Sequence, residues 1–243
     1  MDIVALERIA ARAWPAAEEA RHGGWLLRAA SGHTGRANSC WALEPPDRPV
    51  DEAIAAVEAW YAARGLTPMF RTSDGATAPV DLADLLAARG YAPEMETVTM
   101  LGPLSPRPDD GVSLSGAADE GFRQVLFGVH HRGDGDAQER LEVLSRIPSP
   151  VAFARLEAEG RPAAVGVCAV EGDWAGLSAM RTLEAARRQG LARRVVGALH
   201  AFAAGAGARR AYLQVEAENH SAIALYRSLG FEPAFNYRHW RRR

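Results

Sequence analysis

There is no lysine in this chain: all 28 cationic side chains among its 243 residues are arginine. With alanine so abundant, that absence reflects a GC-rich coding bias more than a function. Cysteine is nearly absent too. Cys40 and Cys168 lie far apart and lack metal-ligand spacing, which excludes a cysteine metal site and predicts two reduced, buried thiols. No uninterrupted apolar run approaches the roughly 20 residues of a membrane span. Asp2 and Glu7 interrupt the first residues, so no signal peptide is visible, and a cytoplasmic protein is expected. Excess charge of one sign is missing: the formal net charge of -2 argues against nucleic acid or an anionic membrane as the main partner. The stretch His130-His131-Arg132-Gly133-Asp134-Gly135-Asp136 lacks the oxygen-ligand spacing of a calcium loop, so it reads as a loop between helices and no metal is expected. What remains is 48% hydrophobic and 24% charged, enough for one large core or two small ones.

Gly102-Pro103-Leu104-Ser105-Pro106-Arg107-Pro108-Asp109-Asp110-Gly111 is dense in proline, glycine and aspartate and reads as an interdomain connection. It suggests an N-terminal domain over 1–104, a linker over 105–110 and a second domain over 111–243. In the second domain the patterning predicts a strand at Val112–Leu114 and helices at Asp119–Val129 and Ala137–Ile147. Strands at Val151–Glu157, Ala163–Val170 and Ala175–Thr182 are joined by hairpin turns, Gly160-Arg161-Pro162 and Glu171-Gly172-Asp173. Leu191, Val195, Val196, Leu199 and Phe202 stripe a helix ending at Gly205 and Gly207. A strand at Ala211–Val215, a helix lined by Ala222, Leu225, Tyr226 and Leu229 and closed by Gly230, and a strand at Phe235–Trp240 complete the pattern. The fold class is α/β, with a mixed, mostly antiparallel sheet flanked by helices.

The first half echoes the end of the second. Ile54, Val57, Trp60 and Tyr61 stripe a helix ending at Gly65, followed by a strand at Pro68–Thr72. Leu82, Leu85, Leu86 and Arg89 lie on a helix closed by Gly90, and Thr97–Met100 is the last strand. Gly90-Tyr91-Ala92-Pro93 mirrors Gly230-Phe231-Glu232-Pro233. This is a degenerate tandem repeat.

The chemistry concentrates in one block. Arg187-Arg188-Gln189-Gly190-Leu191-Ala192 stands between a strand and a helix start, where unpaired N–H groups and a partial positive charge suit an anion. Gly190 lets a diphosphate approach the backbone, and Arg187, Arg188, Arg193 and Arg194 add long-range attraction. A P-loop is excluded because no Gly-Lys-Ser/Thr follows. Gly205-x-Gly207 has Arg at position 210 and lies at the wrong end of its helix for a dinucleotide fingerprint. Further on come Asn219, a candidate N-cap, and Tyr226, whose ring is buried while its hydroxyl needs a polar partner. A phenol near pKa 10 stays neutral at pH 7 and can protonate a departing thiolate.

Arg-x-x-Gly-x-Ala followed by Asn219-x-x-Ala222-x-x-x-Tyr226-x-x-x-Gly230-Phe231 resembles the GCN5-related N-acetyltransferase family over about Val112 to Trp240. The resemblance implies an acyl-CoA N-acyltransferase fold, its sheet splayed open between Ala175–Thr182 and Ala211–Val215. Acetyl-CoA would lie in that wedge as cosubstrate. Its pantetheine arm would bond to backbone around Met180, Arg181 and Thr182, and its pyrophosphate would rest on the N–H groups of Arg188, Gln189, Gly190, Leu191 and Ala192. Asn219 and Tyr226 would also touch it. The loop around His130–Asp136 would overhang the acceptor site. The implied activity is direct transfer of acetyl to a primary amine of an unidentified acceptor, with Tyr226 as acid and Glu216 or Glu171 as candidate bases. A non-catalytic acyl-CoA sensor is the alternative. A covalent cysteine intermediate is disfavoured, since Cys168 is mid-strand with no nearby histidine. The N-terminal half should not bind the coenzyme. Pro45, Pro46 and Pro49 precede its helix, Asp47 and Asp51 repel phosphate, Leu86 stands where the phenol would be and Pro79 where the asparagine would be. The terminal Arg238, Arg241, Arg242 and Arg243 read as solvated. A monomer or a homodimer is compatible with this sequence.

Overall fold

The computed structural model describes residues 1–129 and 134–242. His130–Gly133, most of the expected loop between helices, lie outside the described residues. The chain is mixed α/β, and no described helix is long and apolar enough to cross a membrane.

The chain forms two compact units. The first comprises Met1–Thr99, Glu216–Glu218 and Ala234–Arg243, the second Met100–Val215 and Asn219–Pro233. These units do not follow the linker. The change falls inside a strand at Thr99/Met100, and the last strand of the chain joins the first unit.

The first unit begins with α1 (Ile3–Arg12), whose N-cap Asp2 accepts from the Ala5 N–H at 3.0 Å. The strands β1 (Glu18–His22), β2 (Trp25–Ala29) and β3 (Cys40–Ala42) follow. Then come α2 (Val50–Ala62), β4 (Met69–Ser73), α3 (Leu82–Ala88) and β5 (Tyr91–Pro103). Trp25, Leu27, Ile54, Val57, Tyr61, Phe70, Leu82 and Leu86 form its core. The elements α1, β1 and β2 are not among those expected from the sequence, and β5 is much longer than the strand expected at Thr97–Met100.

In the second unit β6 (Val112–Ser115) precedes α4 (Glu120–Gly128) and α5 (Asp134–Ser145). Asp119 caps α4 by accepting from the Phe122 N–H at 2.7 Å. The antiparallel run β7 (Val151–Ala158), β8 (Arg161–Glu171) and β9 (Trp174–Thr182) leads into α6 (Leu191–Gly205). The chain ends with β10 (Arg210–Glu216), α7 (His220–Arg227) and β11 (Glu232–Arg242).

Strand order in the first unit is β1-β2-β3-β4-β11-β5, and in the second β10-β9-β8-β7-β6. Both units contain a parallel pair, β3 with β4 in the first and β9 with β10 in the second. Each pair is joined by a helical crossover, α2 or α6, as parallel neighbours require. The order β3–α2–β4–α3–β5 thus recurs as β9–α6–β10–α7–β11. The corresponding glycines Gly65, Gly90, Gly207 and Gly230 all have positive φ, so all four end a helix in the left-handed conformation.

Arg238, Arg241 and Arg242 stay partly exposed, in keeping with a solvated reading, but they are not unpartnered: they meet Glu96 at 2.8 Å, Glu94 at 3.4 Å and Glu58 at 2.9 Å. The proline-rich segment is not a loose tether either. Running back from Asp109 it meets α6 at every second residue. Asp109 accepts two bonds from Arg194 at 2.6 and 2.8 Å, the Arg107 N–H donates to the Gly197 carbonyl at 3.0 Å, and the Ser105 N–H donates to His200 Nδ1 at 3.0 Å. An extended chain stepping by two matches a helix row stepping by three, so the segment is a strap in register along one face of α6.

Candidate active site

The geometry of the site begins where a ladder stops. β9 and β10 pair in parallel from Arg210↔Trp174 to Leu213↔Leu177. Beyond that rung β9 continues to Thr182 with no further partner from β10, so the C-terminal ends of the strands separate. On its other edge β9 stays paired with β8, but the register shifts between Val165 and Val167. Val165 faces Arg181 and Val167 faces Ser178, so Ala179 and Met180 together face Gly166. Ala179 sits at φ 50, which a β-bulge imposes on a non-glycine residue. Nothing in the sequence Ser178-Ala179-Met180-Arg181 announces this bulge, since alanine carries no signal for a left-handed conformation.

The block Arg187–Ala192 forms the turn into α6. Arg187, Arg188, Gln189 and Gly190 are exposed, and Leu191 is buried beneath them. Arg188 at φ 64 and Gly190 at φ 78 are both left-handed, with Gly190 at the N-cap position. The first helical acceptor is the Gly190 carbonyl, which receives the Arg194 N–H at 3.2 Å. The N–H groups of Leu191, Ala192 and Arg193 therefore have no acceptor within the helix, as at any helix start. The four arginines differ in what they offer. Arg194 is held by Asp109 and Arg193 donates to Ser228 Oγ at 2.6 Å, leaving Arg187 and Arg188 exposed at the turn.

Asn219 is the N-cap of α7: its Oδ1 accepts from the Ala222 N–H and from Ser221 Oγ–H, each at 3.1 Å. Tyr226 lies about two turns further on and is buried. Burial pushes its phenol up to about 12, opposed by the charge of Arg181 on the free end of β9. Phenol and guanidinium therefore lie close enough to interact, a part for Arg181 that nothing in its sequence neighbourhood announces. Cys168, on β8, is fully buried and its thiol is pushed up to about 12, the wrong direction for a nucleophile.

The two candidate bases are placed differently. Glu171 pairs with Trp174 at the β8–β9 turn. That is the opposite end of β9 from Arg181, about 20 Å away at roughly 3.3 Å per residue. It is not brought to the site. Glu216 is the last residue of β10 and is exposed. It falls in the short segment counted with the first unit, where the Ala217 N–H donates to the Glu96 carbonyl at 2.9 Å.

Known proteins match nearly the full length of the chain. The family described as "Probable histone acetyltransferase Rv0428c C-terminal" matches residues 1–240. An uncharacterized N-acetyltransferase of Bacillus subtilis, YobR, is 30% identical over 239 residues, covering 96% of this chain and 95% of its own. The probable histone acetyltransferase Rv0428c of Mycobacterium tuberculosis is 32% identical over 232 residues, 94% of this chain and 70% of its own. Among solved structures, a GCN5-related N-acetyltransferase from Kribbella flavida superposes with a TM-score of 0.70 at 17% identity, covering 98% of this chain and 95% of its own. A tandem GNAT protein from the clavulanic acid biosynthesis pathway does so with a TM-score of 0.60 at 15% identity, covering 97% and 86%. The chain is an acyltransferase of the GCN5-related N-acetyltransferase family, and within it belongs to the family described from the C-terminal part of Rv0428c.

Proposed function

We propose that the second unit carries the acetyl group of acetyl-CoA directly to a primary amine. The observation that carries this reading is the separation of β9 from β10 past Leu177 and Leu213, beside a left-handed turn into α6. Strand ends that leave each other free offer unpaired backbone to a pantetheine arm, and the start of α6 offers N–H groups and positive potential to a pyrophosphate. Met180, Arg181 and Thr182 would hold the first, and Arg187–Ala192 the second. The free Nδ2 of Asn219 remains to donate to the coenzyme while its Oδ1 caps α7.

In the reaction the neutral amine attacks the thioester carbonyl. Backbone N–H groups at Met180–Arg181 stabilise the oxyanion, the C–S bond breaks, and Tyr226 donates to the departing sulfur. A phenol near 12 sits above a thiol near 8.5, so its phenolate does not persist. It regains a proton from the nitrogen that has become an amide, and the thiol leaves protonated. Arg181 steadies the transient negative charge. Glu216, directly or through water, would take the proton that the acceptor ammonium loses before attack; Glu171 is too far along β9 to do so.

The tandem reading is supported by the repeated element order and by the four left-handed glycines. In the first repeat α2 starts at Pro49 with Asp51 and Glu52 in its first turn, and buried Leu86 stands in place of the phenol. That start repels phosphate, which supports a first unit without coenzyme. The test is thiol release from acetyl-CoA across a panel of amines, including a lysine-rich histone peptide because of the name borne by the mycobacterial relative. Binding of acetyl-CoA with no thiol release for any amine would overturn the catalytic reading. No rise in melting temperature at acetyl-CoA well above micromolar would overturn the binding itself.

A further inference from the structure

The strap along α6 continues into contacts that lead to Tyr226. At the end of α7 the Phe231 N–H donates to the Tyr226 carbonyl at 3.0 Å across left-handed Gly230. This is the Schellman arrangement, whose usual apolar contact joins these same two positions. Here that contact is edge-on, with the Phe231 and Tyr226 ring centroids 5.9 Å apart. Phe231 is fully buried, and the strap meets its ring at Gly102. A Cβ on Gly102 would come within 2.7 Å of the Phe231 ring, and one on Gly230 within 3.3 Å of Pro103. His200, which accepts from Ser105 of the strap, lies 5.9 Å from Phe231, ring to ring. Gly102 thus meets the residue that backs the phenol, Pro103 lies beside the glycine before it, and Ser105 reaches it through His200.

We propose that the segment Gly102–Asp109 is a positioning element for Tyr226, acting through Phe231: docked on α6 by Asp109, Arg107 and Ser105, it fixes the ring against which the phenol is set. The inference rests on the proposed role of Tyr226 as acid. It gives the connection between the two halves a part in the chemistry, through Phe231 rather than by touching substrate. It also explains why a bare glycine occupies position 102 within a strand, where any side chain would displace Phe231.

Gly102→Ala tests it. The Cβ pushes the Phe231 ring and shifts the phenol, so kcat for thiol release should fall by about 10- to 100-fold. The dissociation constant for acetyl-CoA should change far less than kcat, because most of the proposed coenzyme contacts lie on β9 and at the start of α6. Phe231→Ala removes the atoms the new Cβ would strike, Cγ and both Cδ, so the double variant should be no slower than Phe231→Ala alone. Multiplicative losses would overturn the proposal. A second reading is independent of activity: phenolate absorbance at about pH 10.5, each protein compared with its own Tyr226→Phe counterpart. Wild type should show no ionisation of Tyr226, and Gly102→Ala should show most of it, because the displaced phenol gains water. A phenol that stays protonated in both would also overturn the proposal. Should Gly102→Ala not fold, His200→Asn keeps the acceptor for Ser105, withdraws the ring from Phe231 and is read the same way. If Tyr226→Phe itself leaves thiol release intact, the acid role fails, while the absorbance still decides whether the strap sets the phenol.

Discussion

Tyr212 lies across Gly176, its register partner in the parallel β9–β10 pair, so closely that a Cβ on Gly176 would sit 2.5 Å from the tyrosine hydroxyl. This is the next-to-last rung before the strands part. Trp174 packs edge-on to the same ring at 6.1 Å, so the aromatic pair closes the joined part of the ladder. Gly176→Ala should force the ring aside and cost about 1–3 kcal/mol of stability, as overpacking of a filled core does. Urea denaturation of the variant measures the loss. A change within experimental error would mean that the ring has room to move.

At Gly190 the requirement is conformational instead of steric. Its φ is 78 and a Cβ there would meet nothing within 4 Å. Gly190→Glu should therefore fold, losing only about 1–2 kcal/mol for a left-handed residue. Its carboxylate and altered backbone stand where the pyrophosphate is proposed to rest, so acetyl-CoA should no longer raise the melting temperature. Retained stabilisation by acetyl-CoA would remove the turn from the binding site.

Much of this was legible because local rules and tertiary structure agree. The stripe Leu191–Phe202 is helix α6, the hairpin turns at Gly160 and Gly172 connect β7, β8 and β9, and Asn219 caps α7. The echo between Gly90 and Gly230 led to a real recurrence of element order, since a left-handed helix end needs a glycine that can be seen in the sequence. What the residues could not announce depends on distant partners. The bulge at Ala179 is imposed by β8, the charge of Arg181 matters because α7 brings Tyr226 to it, and Glu171 is disqualified only by the direction of β9. Proline density suggested a tether at 105–110, and the strap's pairing with Arg194, Gly197 and His200 appears only once α6 is folded. Helix α1 was missed although its inward face is short and apolar, because its buried Glu7 reads as a surface residue until Arg71 is found beside it.

Glu7 and Arg71 make a pair whose loss should be costly. Both side chains are fully buried, and Arg71 Nη2 lies 2.5 and 2.6 Å from the two Glu7 oxygens. Ser73 Oγ–H donates to the same carboxylate at 2.7 Å. The guanidinium lies between the Trp41 ring at 3.8 Å and the Tyr237 ring at 3.5 Å. Glu7→Gln leaves a buried cation without its counter-charge and should cost about 3–5 kcal/mol. Replacing both, Glu7→Met with Arg71→Met, should cost less than the single change, because no charge is then stranded. Equilibrium denaturation of the three proteins separates these outcomes, and a double variant weaker than the single one would show that the pair contributes net stability.

His200 gives the fold a pH dependence of definite sign. Its Nδ1 accepts from Ser105, so the neutral ring is the bound form, and burial holds its pKa down to about 4. In the unfolded chain the same imidazole titrates near 6.5. Between these values the unfolded chain binds one proton more than the folded one. Stability must therefore fall as pH drops from about 6.5 to about 4, and this contribution is complete above that window. His200→Asn keeps an acceptor for the Ser105 N–H and cannot titrate. Urea midpoints at about pH 7 and about pH 5 should therefore fall further for the wild type than for the variant, the difference between the two falls being the contribution of His200 alone. Equal falls would mean that the imidazole is protonated in the fold, and that the strap is not held by a neutral histidine.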